Sequence, residues 1–214
     1  MSTLRITEIF LSLQGEANTV GSPTIFVRLT GCPLRCQYCD SEYAFSGGTM
    51  MGLDTILGEV EELGVPHVTV TGGEPLAQPN AIALMQKLVD ACKSVSLETS
   101  GSLSVADVPA GVVKVLDLKT PGYNESHRNI WENLGHLNPR DQIKFVLCSR
   151  ADYDWARMRC DEHGLYDRVG DVLFSPSHHE LAPRELADWI VADRLPVRMQ
   201  MQMHKLLWGD VPGY

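Results

Sequence analysis

Short runs rich in β-branched and aromatic residues alternate along this chain with stretches in which apolar residues recur every three or four positions. The strand-like runs are TIFVRLT (24–30), HVTVT (67–71), SVSLET (94–99), VVKVLDLK (112–119), QIKFVL (142–147), DVLFS (171–175) and VRMQMQMH (197–204). Helical periodicity falls between several of them, at 53–63, 79–92, 151–163 and 183–192. The last two start near Asp152 and Pro183, residues suited to a first helical turn. Such alternation predicts right-handed βα units on a mostly parallel sheet. With about six to seven strands and fewer helices, there is too little chain for a closed eight-unit barrel of ~250 residues. The expected fold is therefore α/β, a single-domain incomplete (β/α) barrel. Functional groups in such folds gather at the C-terminal ends of strands. The unusual segments fall there: a cysteine loop after 24–30, GGEP after 67–71, TSG after 94–99, TPG after Lys119 and SPSHH after 171–175.

Composition narrows the partners. At 214 residues the chain can bury one substantial core, and no repeat or Gly/Ser-rich linker divides it. A net charge of −9 argues against a phosphate-neutralising surface, so no nucleic acid is expected and a small-molecule substrate is. No apolar run approaches the ~20 residues that span a bilayer. Charges interrupt MSTLRITEIFLSLQGE too early for a secretory signal. The expectation is a cytoplasmic protein without a membrane partner, in which six cysteines read as metal-binding, catalytic or buried residues rather than as disulfides.

Three of those cysteines cluster. Gly31-Cys32-Pro33-Leu34-Arg35-Cys36-Gln37-Tyr38-Cys39-Asp40 has the spacing C-x3-C-x2-C directly after a strand. Three thiolates in one loop can hold three irons of a cubane 4Fe-4S cluster and leave the fourth without a protein ligand. An open iron can be chelated by the amino and carboxylate groups of S-adenosylmethionine (SAM). Electron transfer then breaks a carbon–sulfur bond, giving methionine and a 5′-deoxyadenosyl radical. A structural zinc site competes with this reading, but it wants four ligands, and Cys92, Cys148 and Cys160 supply no second C-x2-C. His67 or a distant cysteine would have to complete it. A redox pair at Cys36 and Cys39 leaves Cys32 unexplained, and a ferredoxin would enclose its cluster with a fourth cysteine.

With Tyr38 just before its last cysteine, the loop resembles the signature of the radical SAM superfamily. The resemblance implies a radical SAM core over residues 1–214, with a substrate-binding segment at 1–20 and a closing segment at 197–214. Thr71-Gly72-Gly73-Glu74-Pro75 resembles the element that holds the methionyl amino group of SAM, its glycines letting a ligand approach the backbone. Glu98 and Ser100, in Glu98-Thr99-Ser100-Gly101, offer a carboxylate and a hydroxyl to the cofactor. Lys119 shares one side of its strand with Asp117 by the two-residue period and is placed to reach a carboxylate. Ser175, Pro176, Ser177 and His178 resemble the loop that supports the adenine. Taken singly, these segments are equally a strand-to-helix connection, a capped turn, a salt bridge and an ordinary turn.

Further motifs narrow the family. Ser12-Leu13-Gln14-Gly15-Glu16, Phe26 to Cys32, Cys39-Asp40-Ser41 and Leu195 to Lys205 together resemble the 7-carboxy-7-deazaguanine synthase family of the queuosine and 7-deazapurine pathway. The activity this implies is that of a carbon–nitrogen lyase. A radical removes hydrogen from 6-carboxy-5,6,7,8-tetrahydropterin, the ring contracts, ammonia leaves, and SAM is regenerated. Arg28 shares a strand face with Thr24, Phe26 and Thr30, and its planar guanidinium suits the substrate carboxylate; the plain alternative is an arginine paired with a nearby acid. Leu13, Gln14, Gly15, Glu16, Thr71, His204 and Tyr214 complete the substrate-binding set that the resemblance implies. Gln200, Gln202 and His204 are expected on the lumen side of a strand whose methionines face packing helices. Ser41 matches the family's magnesium position, with substrate and water completing the Mg2+ shell. Glu42-Tyr43-Ala44-Phe45 is aromatic enough to cover the site. A homodimer and a flavodoxin-like or other reductase are implied partners. Two other functions stay open: a glycyl-radical activating enzyme, whose substrate is a protein, and a non-catalytic zinc or iron–sulfur module.

Overall fold

The structure, a computed structural model, describes residues 2–209, 211 and 213. β1 (Thr3–Leu13) and β2 (Pro23–Leu29) pair antiparallel, and β3 (Thr49–Gly52) adds to the other edge of β1, also antiparallel. The chain then runs α1 (Leu53–Leu63), β4 (His67–Gly72), α2 (Ala81–Asp90), β5 (Ser94–Thr99), β6 (Val113–Asp117), β7 (Gln142–Leu147), α3 (Arg150–His163), β8 (Asp171–Pro176), α4 (Pro183–Asp193), β9 (Arg198–Met199) and α5 (Met203–Trp208). The nine strands of the described residues form one sheet in the order β3-β1-β2-β4-β5-β6-β7-β8-β9, parallel from β2 onward. β3 and β9 are its two ends, so the expected incomplete barrel stays open. No helix of the described residues is long and apolar enough to cross a membrane.

The helices follow from their apolar spacing. Leu53, Ile56 and Val60 bury one face of α1, and Ala81, Leu84, Met85 and Leu88 do the same for α2. α1 ends on Gly64, which adopts a left-handed φ of 74° and returns its N–H to the Glu61 carbonyl. α3 begins one residue earlier than the periodicity predicts because the Ser149 side chain accepts from the Asp152 N–H at 3.2 Å. β7 is buried at every position, as a central parallel strand should be.

The strand predicted at 197–204 is corrected. Only Arg198–Met199 pairs with β8, and Met203 starts a helix. Alternation there reflects side chains that bond the segment after β1, not a ladder: the Gln200 side chain accepts from the Ala17 N–H at 2.6 Å and Gln202 reaches Glu16. β1 and β3 were not predicted. TLRITEIFLSL mixes charged and apolar residues because much of β1 is only half-covered.

Parallel strands deliver their C-terminal ends to one rim of the sheet. Arg28 of β2 lies in register with Thr71 of β4, and Asp117 of β6 with Lys144 of β7. With Glu98 of β5, these side chains line one cavity of about 310 Å³, to which His204 and Lys205 of α5 also contribute.

Candidate active site

The cysteine loop crosses the mouth of that cavity, with Cys32, Cys36, Tyr38, Cys39 and Ser41 all lining it. Arg35 folds the loop onto itself, its Nη1 donating to the Cys32 and Leu34 carbonyls at 2.8 and 2.6 Å. The Arg35 N–H donates to Glu125, which ties the loop to the segment after β6. On the other side the Glu74 N–H donates to the Gly31 carbonyl at 2.8 Å, and Gly73 to Leu29 at 3.2 Å. This contact explains the double glycine. A Cβ on Gly73 would collide with the Gly31 carbonyl and lie 2.8 Å from the Cys32 Cβ, and Gly72, at φ +153°, presses against Leu29. The nearest demand on Gly73 comes from the cysteine loop itself, and that on Gly72 from the end of β2, in addition to any ligand.

All three thiols are free and half-buried. Burial pushes each upward, Cys36 to about 11 even though Lys119 pulls it down. Among the described residues no three His, Cys, Asp or Glu side chains converge as on a single metal ion. A zinc-type site asks for that convergence, whereas a cubane takes each thiolate on a separate iron.

The GGE element and the β5 end are joined by one carboxylate. Glu74 is fully buried, and it accepts from Leu76 N–H at 3.0 Å, Thr99 Oγ1 at 2.9 Å, Ser100 N–H at 2.8 Å and Ser100 Oγ at 2.6 Å. It stands behind the cavity wall, while Gly72, Gly73, Glu98 and Ser100 line it. Lys119 also lines the cavity, paired with Asp117 at 2.9 Å and lying 5.3 Å from the Tyr123 ring centre. Asp117 Oδ1 is buried beside the cavity with no partner among the described residues. The 175–178 loop sits apart from this space. Pro176, Ser177 and His178 line a second cavity of about 50 Å³ that shares Gln202 with the first, and Ser175 is wholly buried, its Oγ without a partner among the described residues.

Leu13, Gln14, Gly15, Glu16, Arg28, Thr71 and His204 line the main cavity with the cysteines. Tyr214 lies outside the described residues. Arg28 takes the pairing with a nearby acid, its Nε donating to Glu8 Oε1 at 2.6 Å, while its guanidinium lines the cavity 5.9 and 5.7 Å from the Phe10 and Tyr43 ring centres. Glu8 also accepts from the Tyr43 hydroxyl at 2.8 Å, which fastens the 42–45 segment over β1 and β2. Gln14 is committed inward, its Nε2 donating to Thr69 Oγ1 at 3.1 Å and its Oε1 accepting from the Glu16 N–H at 3.2 Å. His204 rests on Gly15, and burial holds its imidazole below the usual histidine range although Glu16 opposes this.

A charged floor escaped the sequence reading. Lys144 Nζ bonds Glu16 Oε2 and lies 3.7 Å from Asp117. Gln202 Nε2 bridges Glu16 Oε1 at 3.1 Å and Asp40 Oδ2 at 3.0 Å, and Lys205 pairs with Asp40. Burial alone would raise the Asp117 carboxyl, yet Lys119 and Lys144 bring it below the usual range. Burial and the neighbouring Glu16 push Glu98 up. The available signal was the lysine inside QIKFVL, since an ammonium between Ile143 and Phe145 in a buried strand must be paired.

The profile of the Radical SAM superfamily matches residues 26–119. A 7-carboxy-7-deazaguanine synthase from Koribacter versatilis is 45% identical over 96% of this chain and 97% of its own length. One from Chlorobaculum tepidum is 43% identical over 96% and 94%. The crystal structure of QueE from Escherichia coli superposes with a TM-score of 0.77 at 23% identity, covering 94% of this chain and 95% of that one, a likeness of fold.

Proposed function

The chain belongs to the 7-carboxy-7-deazaguanine synthases of the radical SAM superfamily, and from that premise we propose how its cavity turns 6-carboxy-5,6,7,8-tetrahydropterin into 7-carboxy-7-deazaguanine with loss of ammonia. The observation that carries the reading is a single cavity lined at once by Cys32, Cys36 and Cys39 and by Glu16, Arg28 and His204.

The residues fit a 4Fe-4S cluster and SAM: three free cysteines on one loop, a glycine pair that lets the loop seat against β4, and an unpartnered buried oxygen on Asp117 beside them. Cys32, Cys36 and Cys39 would hold the cluster. Tyr38, Gly72, Gly73, Glu98, Ser100 and Lys119 would receive SAM, with Glu74 fixing the β4 and β5 ends and 175–178 at the side. Bound together, the cluster and SAM supply the one-electron chemistry that removes a hydrogen atom from the substrate.

The remaining residues bind and orient. Arg28, already turned by Glu8, offers its guanidinium to the substrate carboxylate. Glu16 accepts from N–H groups of the pterin edge, and Gln14 holds the Glu16 backbone in place. A neutral His204 can donate from one nitrogen and accept at the other. Leu13, Gly15 and Thr71 shape the walls, and Tyr43 helps exclude water. The fuller reading adds Mg2+ at Ser41, Tyr214 at the substrate, a flavodoxin-like or other reductase, a homodimer and a cytoplasmic setting. The test is anaerobic incubation of the reconstituted protein with reductant, SAM and 6-carboxytetrahydropterin, followed by mass spectrometry. Carboxy-deazaguanine with SAM undiminished is the expected result. An assembled cluster that cleaves SAM but forms no such product overturns the reading.

A further inference from the structure

Lys144 stands out among the groups to which that reading gives no task. It is 8% exposed, in a strand buried at every position, where an unpaired ammonium would be costly. Its Nζ reaches across 128 positions of sequence to Glu16 Oε2. Asp117, its other neighbour at 3.7 Å, already has Lys119 at 2.9 Å. The charge of Lys144 is therefore directed chiefly at Glu16. Gln200 Nε2 donates to the same oxygen at 3.3 Å, while Gln202 Nε2 donates to Oε1 at 3.1 Å. A carboxylate oxygen accepts two hydrogen bonds comfortably. Oε2 is thus filled, and Oε1 keeps one acceptor position for a ligand in the cavity that Glu16 and Lys144 both line.

We propose that Lys144 is a positioning residue that locks the Glu16 carboxylate, leaving Oε1 to accept from the 2-amino edge of the pterin and so to set selectivity for an amino-substituted pyrimidine ring. The inference rests on the pterin reading above. Lys144 touches no reacting atom in it and acts through Glu16.

Equilibrium binding tests it on the cluster-loaded, unreduced protein, with fluorescent 6-carboxypterin as the probe and 6-carboxylumazine, which carries oxygen in place of the 2-amino group, as the comparison. Lys144→Met and Glu16→Gln should each weaken 6-carboxypterin binding by about tenfold, and the double variant should bind no worse than Glu16→Gln alone. The wild-type preference for pterin over lumazine should shrink in both single variants, which a merely structural lysine would not cause. Additive losses, or an unchanged preference in Lys144→Met, overturn the proposal. If iron analysis shows that Lys144→Met alone fails to assemble, the double variant, which leaves no uncompensated Glu16 charge, is compared with Lys144→Arg. Arginine should restore the preference for pterin; failure to do so is equally fatal. Loss of product formation by the wild-type protein would sink the functional reading, whereas additive variants of an active protein sink only the role of Lys144.

Discussion

Gly15 and His204 are packed so tightly that a Cβ on the glycine would overlap His204 Nδ1 and lie 3.0 Å from the His204 backbone nitrogen. The contact is reinforced by the Met203 N–H, which donates to the Gly15 carbonyl at 3.0 Å. The end of β1 thereby sets where α5 begins and where its imidazole points. Gly15→Ala must push the ring and the start of α5 outward. A displacement of about 1 Å in a positioning group costs on the order of 100-fold in turnover. Steady-state assays should show that loss while iron content stays at the wild-type level, because the cysteine loop is held by other contacts.

The reverse pattern is expected at Gly73. Its missing Cβ makes room for the Gly31 carbonyl and for Cys32, 2.8 Å from where that atom would sit. Alanine there forces the cysteine loop off the β4 end and breaks the pairing of Glu74 N–H with Gly31. Gly73→Ala should therefore reconstitute with far less iron and sulfide than wild type and lack the charge-transfer absorbance of the cluster. A variant with full iron would show that the loop yields more easily than this packing implies.

How much of this was legible from sequence differs by element. The parallel strands announce themselves because each is a β-branched run closed by a glycine, proline or polar turn, and α1 because its apolar residues keep one face. β1 hides because it lies near the antiparallel edge, half-covered, with Arg5 and Glu8 among its apolar positions. The Gln202 side chain lines the cavity and Gln200 reaches Glu16 beside it, but the backbone that carries them leaves the sheet after Met199. Motif spacing picked out many of the residues that line the cavity, but it also picked out Glu74 and 175–178, which do not line it, and passed over Lys144. It could not distinguish side chains that face a ligand from those that hold their neighbours. Glu74 and Gln14 belong to the second kind, because hydrogen-bond partners brought from distant strands are invisible to local spacing.

Arg28 and Glu8 form a pair whose two members should fail differently. Arg28→Ala removes the proposed carboxylate ligand and leaves Glu8 half-buried without its cation. Substrate use should weaken by about 2–5 kcal/mol with the cluster retained. Glu8→Gln keeps an acceptor for Arg28 Nε and for the Tyr43 hydroxyl, removing only the charge. Its effect should be a several-fold rise in KM for the pterin with kcat little changed, since the guanidinium is still present but less firmly aimed. Equal damage from both variants would place Glu8 at the chemistry, not behind Arg28.

His204 gives the site a pH dependence whose sign is fixed by its surroundings. Burial disfavours its charged form and, against the opposing pull of Glu16, keeps its folded-state pKa below the model-peptide value of 6.5. The unfolded chain then binds a proton at this residue more readily than the folded one, so the linked contribution to stability rises with pH across the interval between the two values. It is complete above 6.5 and is lost as the pH falls toward the folded-state pKa. Other histidines titrate in the same range, so the informative quantity is the difference between wild type and His204→Asn. The asparagine keeps a donor and an acceptor but cannot protonate. Thermal midpoints followed from pH 7.5 to pH 5 should fall more steeply for wild type than for the variant. Affinity for 6-carboxypterin should show the same difference, because an imidazolium has lost the acceptor that a neutral His204 presents to the cavity. Parallel curves for the two proteins would mean that His204 stays accessible enough to titrate as it does in the unfolded chain.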